Sequence, residues 1–249
     1  MNGSAYENVV TPRTAAAVSR VRAQRFSLML TLVLIAVVVR GFWPTYFGPL
    51  VTGRSVARPW VMHLHGAIFS GWMLLLLGQV SLAVSGRVRL HRRVGAFGIA
   101  YGCLVLIVGV VVSFAAPVRH VRLGEWTVDQ AAAFLLLPLV DMILFAGFFG
   151  AAIAYRRRPE IHKRLIVAAT IALAFAAVGR MFESSLVGFF VVWLAPLAAA
   201  IGVDLYSSRR VHPVYIVSAA VFVVAFLRLL VMESPFWLKI GSRLLAPLL

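Results

Sequence analysis

The sequence has few charged residues and a single cysteine. Only 13% of its 249 residues are charged, and 8 acidic residues stand against 24 Lys and Arg. A soluble domain carries about 25% charged and about 45–50% apolar residues, whereas 62% of this chain is hydrophobic. The composition therefore excludes a soluble globular protein and a disordered chain. The lone Cys103 excludes an intramolecular disulfide and a metal site built from several cysteines.

Long hydrophobic runs dominate what is present. A membrane-spanning helix needs about 20 apolar residues, and seven runs have about this length. They are continuous rather than alternating, so they predict helices and not barrel strands. The predicted fold class is all-α, a polytopic bundle of seven transmembrane helices between a basic tail (1–25) and an interfacial tail (233–249). The predicted spans, within a membrane domain of residues 26–232, are 26–42, 60–84, 94–116, 131–155, 165–182, 186–205 and 214–232.

The basic residues lie mostly on one side of these spans. Fifteen fall in the N-terminal tail and in the connections 85–93, 156–164 and 206–213, against six on the other side. Short cytoplasmic loops carry an excess of Lys and Arg, so we expect a cytoplasmic N-terminus and an external C-terminus in a bacterial inner membrane. The net charge of +16 is then mainly a topology signal. We expect anionic lipids as partners at the cytoplasmic face and no nucleic acid.

One histidine stands in each predicted cytoplasmic connection. These are His91, His162 and His212, three of the 6 histidines in the chain. A residue at a helix N-terminus faces free backbone N–H groups, which favours neutral imidazole, the form that ligates metal or haem. The repeat therefore predicts a common role in ligation. Topology and lipid anchoring by the neighbouring arginines are the alternative explanation.

A second group of polar residues falls inside the predicted spans, towards the outer half. His65 opens the second span, Asp141 lies within the fourth, Arg180 ends the fifth and Arg228 lies in the seventh. Ionisable groups at such depth face the bundle interior and pair with one another. We expect an Asp141–Arg180 or an Asp141–Arg228 pair. Such a pair either fixes the helix register or lines a cavity for a proton, a quinone or another small ligand.

Two resemblances follow from these stretches. His65-Gly66, Trp72, Gly78, Arg87 and Leu90-His91-Arg-Arg-Val-Gly95 resemble the paired helices of the ascorbate-reducible, diheme b-type membrane cytochromes. That resemblance covers residues 65–95 and implies haem b, with ligands at His65 and His91 and, less directly, at His162 and His212. The whole chain is similar to uncharacterised bacterial seven-span membrane proteins with His-x-His-Gly, His-Arg-Arg-x-Gly and His-Lys-Arg stretches, which imply no known activity.

Three functions remain open on this basis. The first is a haem- or metal-associated redox protein for electron transport, with ligands among His65, His91, His162 and His212. The second is a small-ligand or proton-coupled carrier built on Asp141, Arg180 and Arg228. The third is a non-catalytic assembly partner of a membrane complex, or a homo-oligomer. A zinc hydrolase using the three loop histidines and Asp204 lacks the paired spacing of zinc motifs.

The predicted orientation can be tested with tags. A tag fused after Leu249 should be cleaved by protease added to spheroplasts, because the arginine-poor side of the spans faces outward. A tag placed before Met1 should be cleaved only after lysis. Protection of the C-terminal tag in intact spheroplasts would contradict the predicted orientation.

Overall fold

The computed structural model describes residues 12–54, 59–182 and 185–249, with side chains from residue 24 on. No strand occurs in these ranges, and seven helices are long and apolar enough to cross a membrane. The molecule therefore has the architecture of a multi-pass membrane protein. Its described helices of more than ten residues are α1 (Pro12–Phe42), α2 (Trp60–Val84), α3 (Val88–Arg122), α4 (Val128–Ala154), α5 (Pro159–Gly179), α6 (Leu186–Ser208), α7 (Pro213–Phe226) and α8 (Pro235–Leu245). The short helix Arg228–Val231 follows α7 and completes the seventh span.

Helices α1 to α5 form a closed ring. Each packs on the next in chain order, and α5 packs back on α1. Helix α6 packs on α5, and α7 packs on both of them. Helix α5 is the most buried of the spans, because it packs on α1 and α4 within the ring and also on α6 and α7. Large apolar side chains such as Leu74, Ile107 and Ile143 are exposed on the outer faces of the bundle, where they can contact lipid.

The helices extend beyond the predicted spans. Helix α3 has 35 residues, so it is about 52 Å long, against about 30 Å for the hydrocarbon core. It includes the basic residues on both sides of the predicted span 94–116, because Arg and Lys are good helix formers that reach the interface with long side chains. The predicted tail 1–25 is also helical from Pro12 on, and residues 1–11 lie outside the described residues.

Three short connections join the helices at one end of the bundle, here named the basic end. They lie between α2 and α3, between α4 and α5, and between α6 and α7. Gly86 in the first of them has a φ of +74°, a left-handed conformation that glycine adopts without steric strain because it has no Cβ atom. This tight turn makes α2 and α3 antiparallel neighbours, so residues at the end of α2 lie beside those at the start of α3.

The residues predicted as an interfacial tail form a helix that packs on the start of α4 at the opposite end of the bundle. The Trp237 indole N–H donates a hydrogen bond to the Ala132 carbonyl oxygen over 2.7 Å, and Leu245 is fully buried. Phe236 and Leu244 on the same helix are exposed. Helix α8 is therefore fixed to the start of α4 by one face, while its other face is free to contact lipid.

Helices α1 and α5 are in close contact through Gly41. A methyl group there would overlap the carbonyl group of Ala177. We expect Gly41→Ala to lower the free energy of unfolding by about 1–3 kcal/mol, the usual cost of overpacking. Gly147→Ala is the matched control, because a methyl group there meets no atom within 4 Å. Equal melting temperatures of the two variants in detergent would contradict the close contact.

Candidate functional site

A cavity of about 770 Å³ opens at the basic end of the bundle. Helices α1, α2, α3, α4, α5 and α6 all contribute to its wall. It reaches Trp72, which lies 12 residues before the end of α2 and therefore about 18 Å from that end. Polar side chains gather at its mouth, here named the rim. The rim consists of His91, Glu160, His162, Lys163, Arg164 and Asp204.

The deeper wall of the cavity is mainly apolar. Leu76 and Ile99 line its sides, together with the buried Thr31. Trp72 lines the deep end, where its ring packs edge-on against Phe145 and Phe149. The cavity therefore has a polar mouth and an apolar interior, and this arrangement matches an amphipathic molecule.

His162 stands in the first turn of α5 with one ring nitrogen engaged. Its Nδ1 lies 2.8 Å from the carbonyl oxygen of Ala152. Ala152 is in the last turn of α4, where carbonyl groups lack a partner within the helix. A carbonyl oxygen only accepts, so Nδ1 carries the proton in this bond and Nε2 of the neutral ring has a free lone pair. No described residue hydrogen-bonds to Nε2, and the ring lines the cavity.

His91 occupies the equivalent position in the first turn of α3. Its Nδ1 lies 3.2 Å from the Gln79 carbonyl oxygen. The Gln79 side-chain amide also contacts this nitrogen, and in its better-satisfied orientation the amide nitrogen donates to Nδ1 over 2.7 Å. Gln79 can therefore offer either a donor or an acceptor to His91. In both cases Nδ1 is engaged and Nε2 is left without a partner among the described residues.

His212 does not share this arrangement. It is the N-cap of α7, and its Nδ1 accepts a hydrogen bond from the Val214 N–H over 3.2 Å. Burial, with the nearby Arg164 charge, lowers the pKa of His212 below its ordinary value. The capping bond needs an unprotonated Nδ1 and is consistent with that direction. The structure therefore separates the three loop histidines into a similar pair, His91 and His162, and a helix cap.

A network of ion pairs within the rim was not predicted from the sequence. The Arg164 guanidinium is buried and donates to both oxygens of Asp204, over 2.8 and 3.2 Å. It also donates to Glu160 over 2.6 Å, and Lys163 lies 2.7 Å from the same carboxylate. Asp204 in turn accepts from the His212 backbone N–H over 3.1 Å. The network ties α5, α6 and the start of α7 together at the mouth of the cavity.

One signal for this network was present in the sequence. Glu160 and Arg164 are four residues apart, the spacing of an ion pair on one helix face. Asp204 could not be assigned to them, because it lies 40 residues away on another helix. The positive-inside interpretation counted Arg164 as a loop residue, whereas α5 begins at Pro159 and carries it into the bundle.

Asp141 pairs with Arg228 within the bundle. The Arg228 Nη2 lies 2.6 Å from Asp141 Oδ1, and both side chains are buried. The guanidinium also stacks over the Phe175 ring, 3.7 Å from its centroid. Asp141 is 13 residues from the end of α4, about 20 Å from the basic end. This pair therefore lies deeper in the bundle than the rim.

Arg180 is not the partner of Asp141. It donates to the Ala176 carbonyl oxygen over 2.8 Å, and its guanidinium lies over the Phe42 ring. His65 is also far from the rim, in the second turn of α2 at the opposite end, where its ring packs on Phe69. The cluster expected from Asp141, Arg180 and Arg228 thus reduces to one ion pair, and His65 does not join the other histidines.

The Asp141–Arg228 pair should be a structural tie. Removing one partner leaves a buried charge, so Asp141→Asn or Arg228→Met alone should cost about 3–5 kcal/mol of stability. The double variant Asp141→Leu/Arg228→Met should unfold close to the wild-type temperature, because no unpaired charge is then left in the bundle interior. Thermal melting in detergent, followed by circular dichroism, measures both effects. A double variant that merely adds the two single losses would contradict the coupling.

Comparisons of the chain with protein-family models, with curated proteins and with solved structures find no match. In residues 12–54, 59–182 and 185–249 no three histidine, cysteine or carboxylate side chains converge to hold a metal ion. The zinc arrangement of His91, His162, His212 and Asp204 does not form there, whereas a ligand contacted by one or two histidines needs no such cluster.

Proposed function

We propose that this membrane protein binds an amphipathic small molecule in the basic-end cavity. The observation that carries the proposal is the shape and chemistry of that cavity, about 770 Å³ in volume, with a polar rim and an apolar interior. Ligand sites typically have volumes of about 300–1,000 Å³, mostly apolar walls and a few polar groups that orient the ligand. Here the polar end of the ligand meets the rim, and its apolar part reaches towards Trp72.

The rim supports access from the water side. The Glu160 and Lys163 side chains are 63% and 44% exposed, so the mouth of the cavity is not covered by the described residues. His91 and His162 stand where the polar end of a ligand would lie, and each keeps one ring nitrogen for it. If the positive-inside prediction holds, this mouth opens to the cytoplasm.

Haem b is the second candidate ligand, and the state of His91 and His162 favours it. A metal-ligating histidine commonly donates its other ring N–H to a backbone carbonyl, which fixes the ring orientation. His162 has this arrangement with Ala152, and His91 has it when its Nδ1 donates to the Gln79 carbonyl oxygen instead of accepting from the Gln79 amide. These two residues would hold the iron, and bound haem would supply one-electron transfer. His65 and His212 are left out, because one lies at the opposite end and the other caps α7.

The other two functions remain predictions without added support. A carrier built on Asp141, Arg180 and Arg228 needs these groups to meet a ligand, whereas Asp141 and Arg228 are buried against each other and Arg180 lies elsewhere. An assembly role in a membrane complex, or a homo-oligomer, has no contact in the described structure that argues for it. The ligand cavity is therefore the functional feature with the strongest physical basis.

Filling the cavity should remove the ligand. Leu76 lines the cavity and is buried, so Leu76→Trp places a large side chain in the ligand's space. Leu74 lies on the same helix but is 68% exposed on the outer face, which makes Leu74→Trp the matched control. Organic extracts of the purified proteins, analysed by mass spectrometry, should contain an amphiphile with wild type and Leu74→Trp, and far less with Leu76→Trp. Equal amounts from all three would contradict the proposal.

The absorption spectrum of the same preparations tests haem. Bound haem should give a Soret band that His91→Ala or His162→Ala removes or shifts, because each loses an iron ligand. His63→Ala is the control, since His63 is exposed at the opposite end and should leave the band unchanged. A colourless wild-type protein that still contains the amphiphile rules out haem and leaves the cavity proposal in place.

A further inference from the structure

In its neutral form, the ring of His162 presents a hydrogen-bond acceptor to the cavity that it lines. Its Nδ1 proton is committed to the Ala152 carbonyl oxygen at 2.8 Å, which leaves the Nε2 lone pair facing no described partner. The complement of an acceptor is an O–H or N–H donor. A ligand group that only accepts, such as a ketone or an ether oxygen, cannot form a hydrogen bond with this nitrogen. His162 therefore selects among amphiphiles by the chemistry of their polar end.

The charges of the rim are already paired. Arg164 is matched by Asp204 and Glu160, and Lys163 by Glu160, with all four groups within ion-pair distance of a partner. Two cations and two carboxylates leave no net charge in this network. An anionic or cationic head group would have to displace one of these contacts, and the buried Arg164 makes this costly. The rim is thus suited to an uncharged head group.

The dimensions of the cavity limit the length of the ligand's apolar tail. From Gln79, which contacts the rim residue His91, to Trp72 the cavity extends over about 10 Å of helix α2 and is lined mainly by aliphatic side chains. An apolar tail of several isoprene or methylene units fits this depth. Phe26 and Tyr215 also line the cavity and provide aromatic surface.

We infer that the ligand is a neutral amphiphile whose head group donates a hydroxyl proton to His162 Nε2, with a hydroquinone (quinol) as the chemical class. The inference rests on the proposed ligand cavity and adds the identity of its head group. A quinol carries an uncharged aromatic head with two O–H donors and an apolar tail, so it meets the acceptor, the neutral rim and the apolar interior together. The dimethyl ether of the quinol is the decisive comparison, because it keeps the ring and the tail but has methoxy groups, which cannot donate, in place of both hydroxyl groups.

The test compares two ligands that differ in those donors. Decylubiquinol, kept reduced under anaerobic conditions, and its dimethyl ether are titrated into the purified full-length protein, and quenching of tryptophan fluorescence reports binding. Loss of quenching in Trp72→Phe assigns the signal to the cavity. We expect the quinol to bind about tenfold more tightly than the ether, which is the scale of one hydrogen bond. His162→Ala should bring the two affinities together, while His63→Ala should keep the difference.

The comparison in the unmodified protein does not depend on whether a variant folds. Equal affinities of the quinol and the ether for wild type overturn the inference but leave the ligand cavity standing, because both molecules then bind there. A preference that survives in folded His162→Ala also overturns it. Binding of neither ligand overturns the inference, and extraction of the Leu76→Trp variant then decides the proposed function independently.

Discussion

A helix that crosses lipid must form hydrogen bonds with its own backbone N–H and C=O groups, and at its two ends it cannot do so. The last four carbonyl groups of each helix have no intrahelical partner, and an unpaired carbonyl group near the membrane is expensive. At the end of α4 this protein meets the requirement with a side chain, because His162 donates its Nδ1 proton to Ala152. That bond joins α4 to α5 and fixes the tautomer of the ring. The chemistry offered to the cavity thus follows from a constraint on the backbone.

The same constraint explains why similar histidines have different roles. His162 and His91 begin helices that turn back tightly against the previous one, so each ring meets the backbone of its neighbour. His212 precedes Pro213 and lies outside α7, so its ring caps the helix that follows. Pro213 supplies no N–H at the first helical position, and the ring bonds to the next one, at Val214. His91 and His162 are each the fourth residue of their helix, whereas His212 is the N-cap, so four positions separate a ring that can meet a ligand from a cap.

Buried charges serve two different purposes in the bundle. Asp141 and Arg228 join α4 to the last turn after α7 at mid-depth, where desolvation makes an unpaired charge costly. Arg164 and its carboxylates join α5, α6 and the start of α7 near the water, and their opposite charges balance at the mouth of the cavity. Both sets tie helices together. The second set lies beside a space large enough for a ligand, whereas Asp141 and Arg228 do not line that cavity.

The sequence by itself determined that the chain is a seven-helix bundle. Only helices and closed barrels satisfy the backbone in lipid, and the seven apolar runs are continuous, which excludes barrel strands. It also supplied the residues of interest, His91, His162, Asp141 and Arg228, through their unusual positions. Tertiary structure decided which of them meet. Arg164 and Asp204 are 40 residues apart, and Asp141 and Arg228 are 87 apart, so their pairing depends on how the helices are arranged around the ring. Periodicity along one chain describes single helices, whereas a cavity exists only between them.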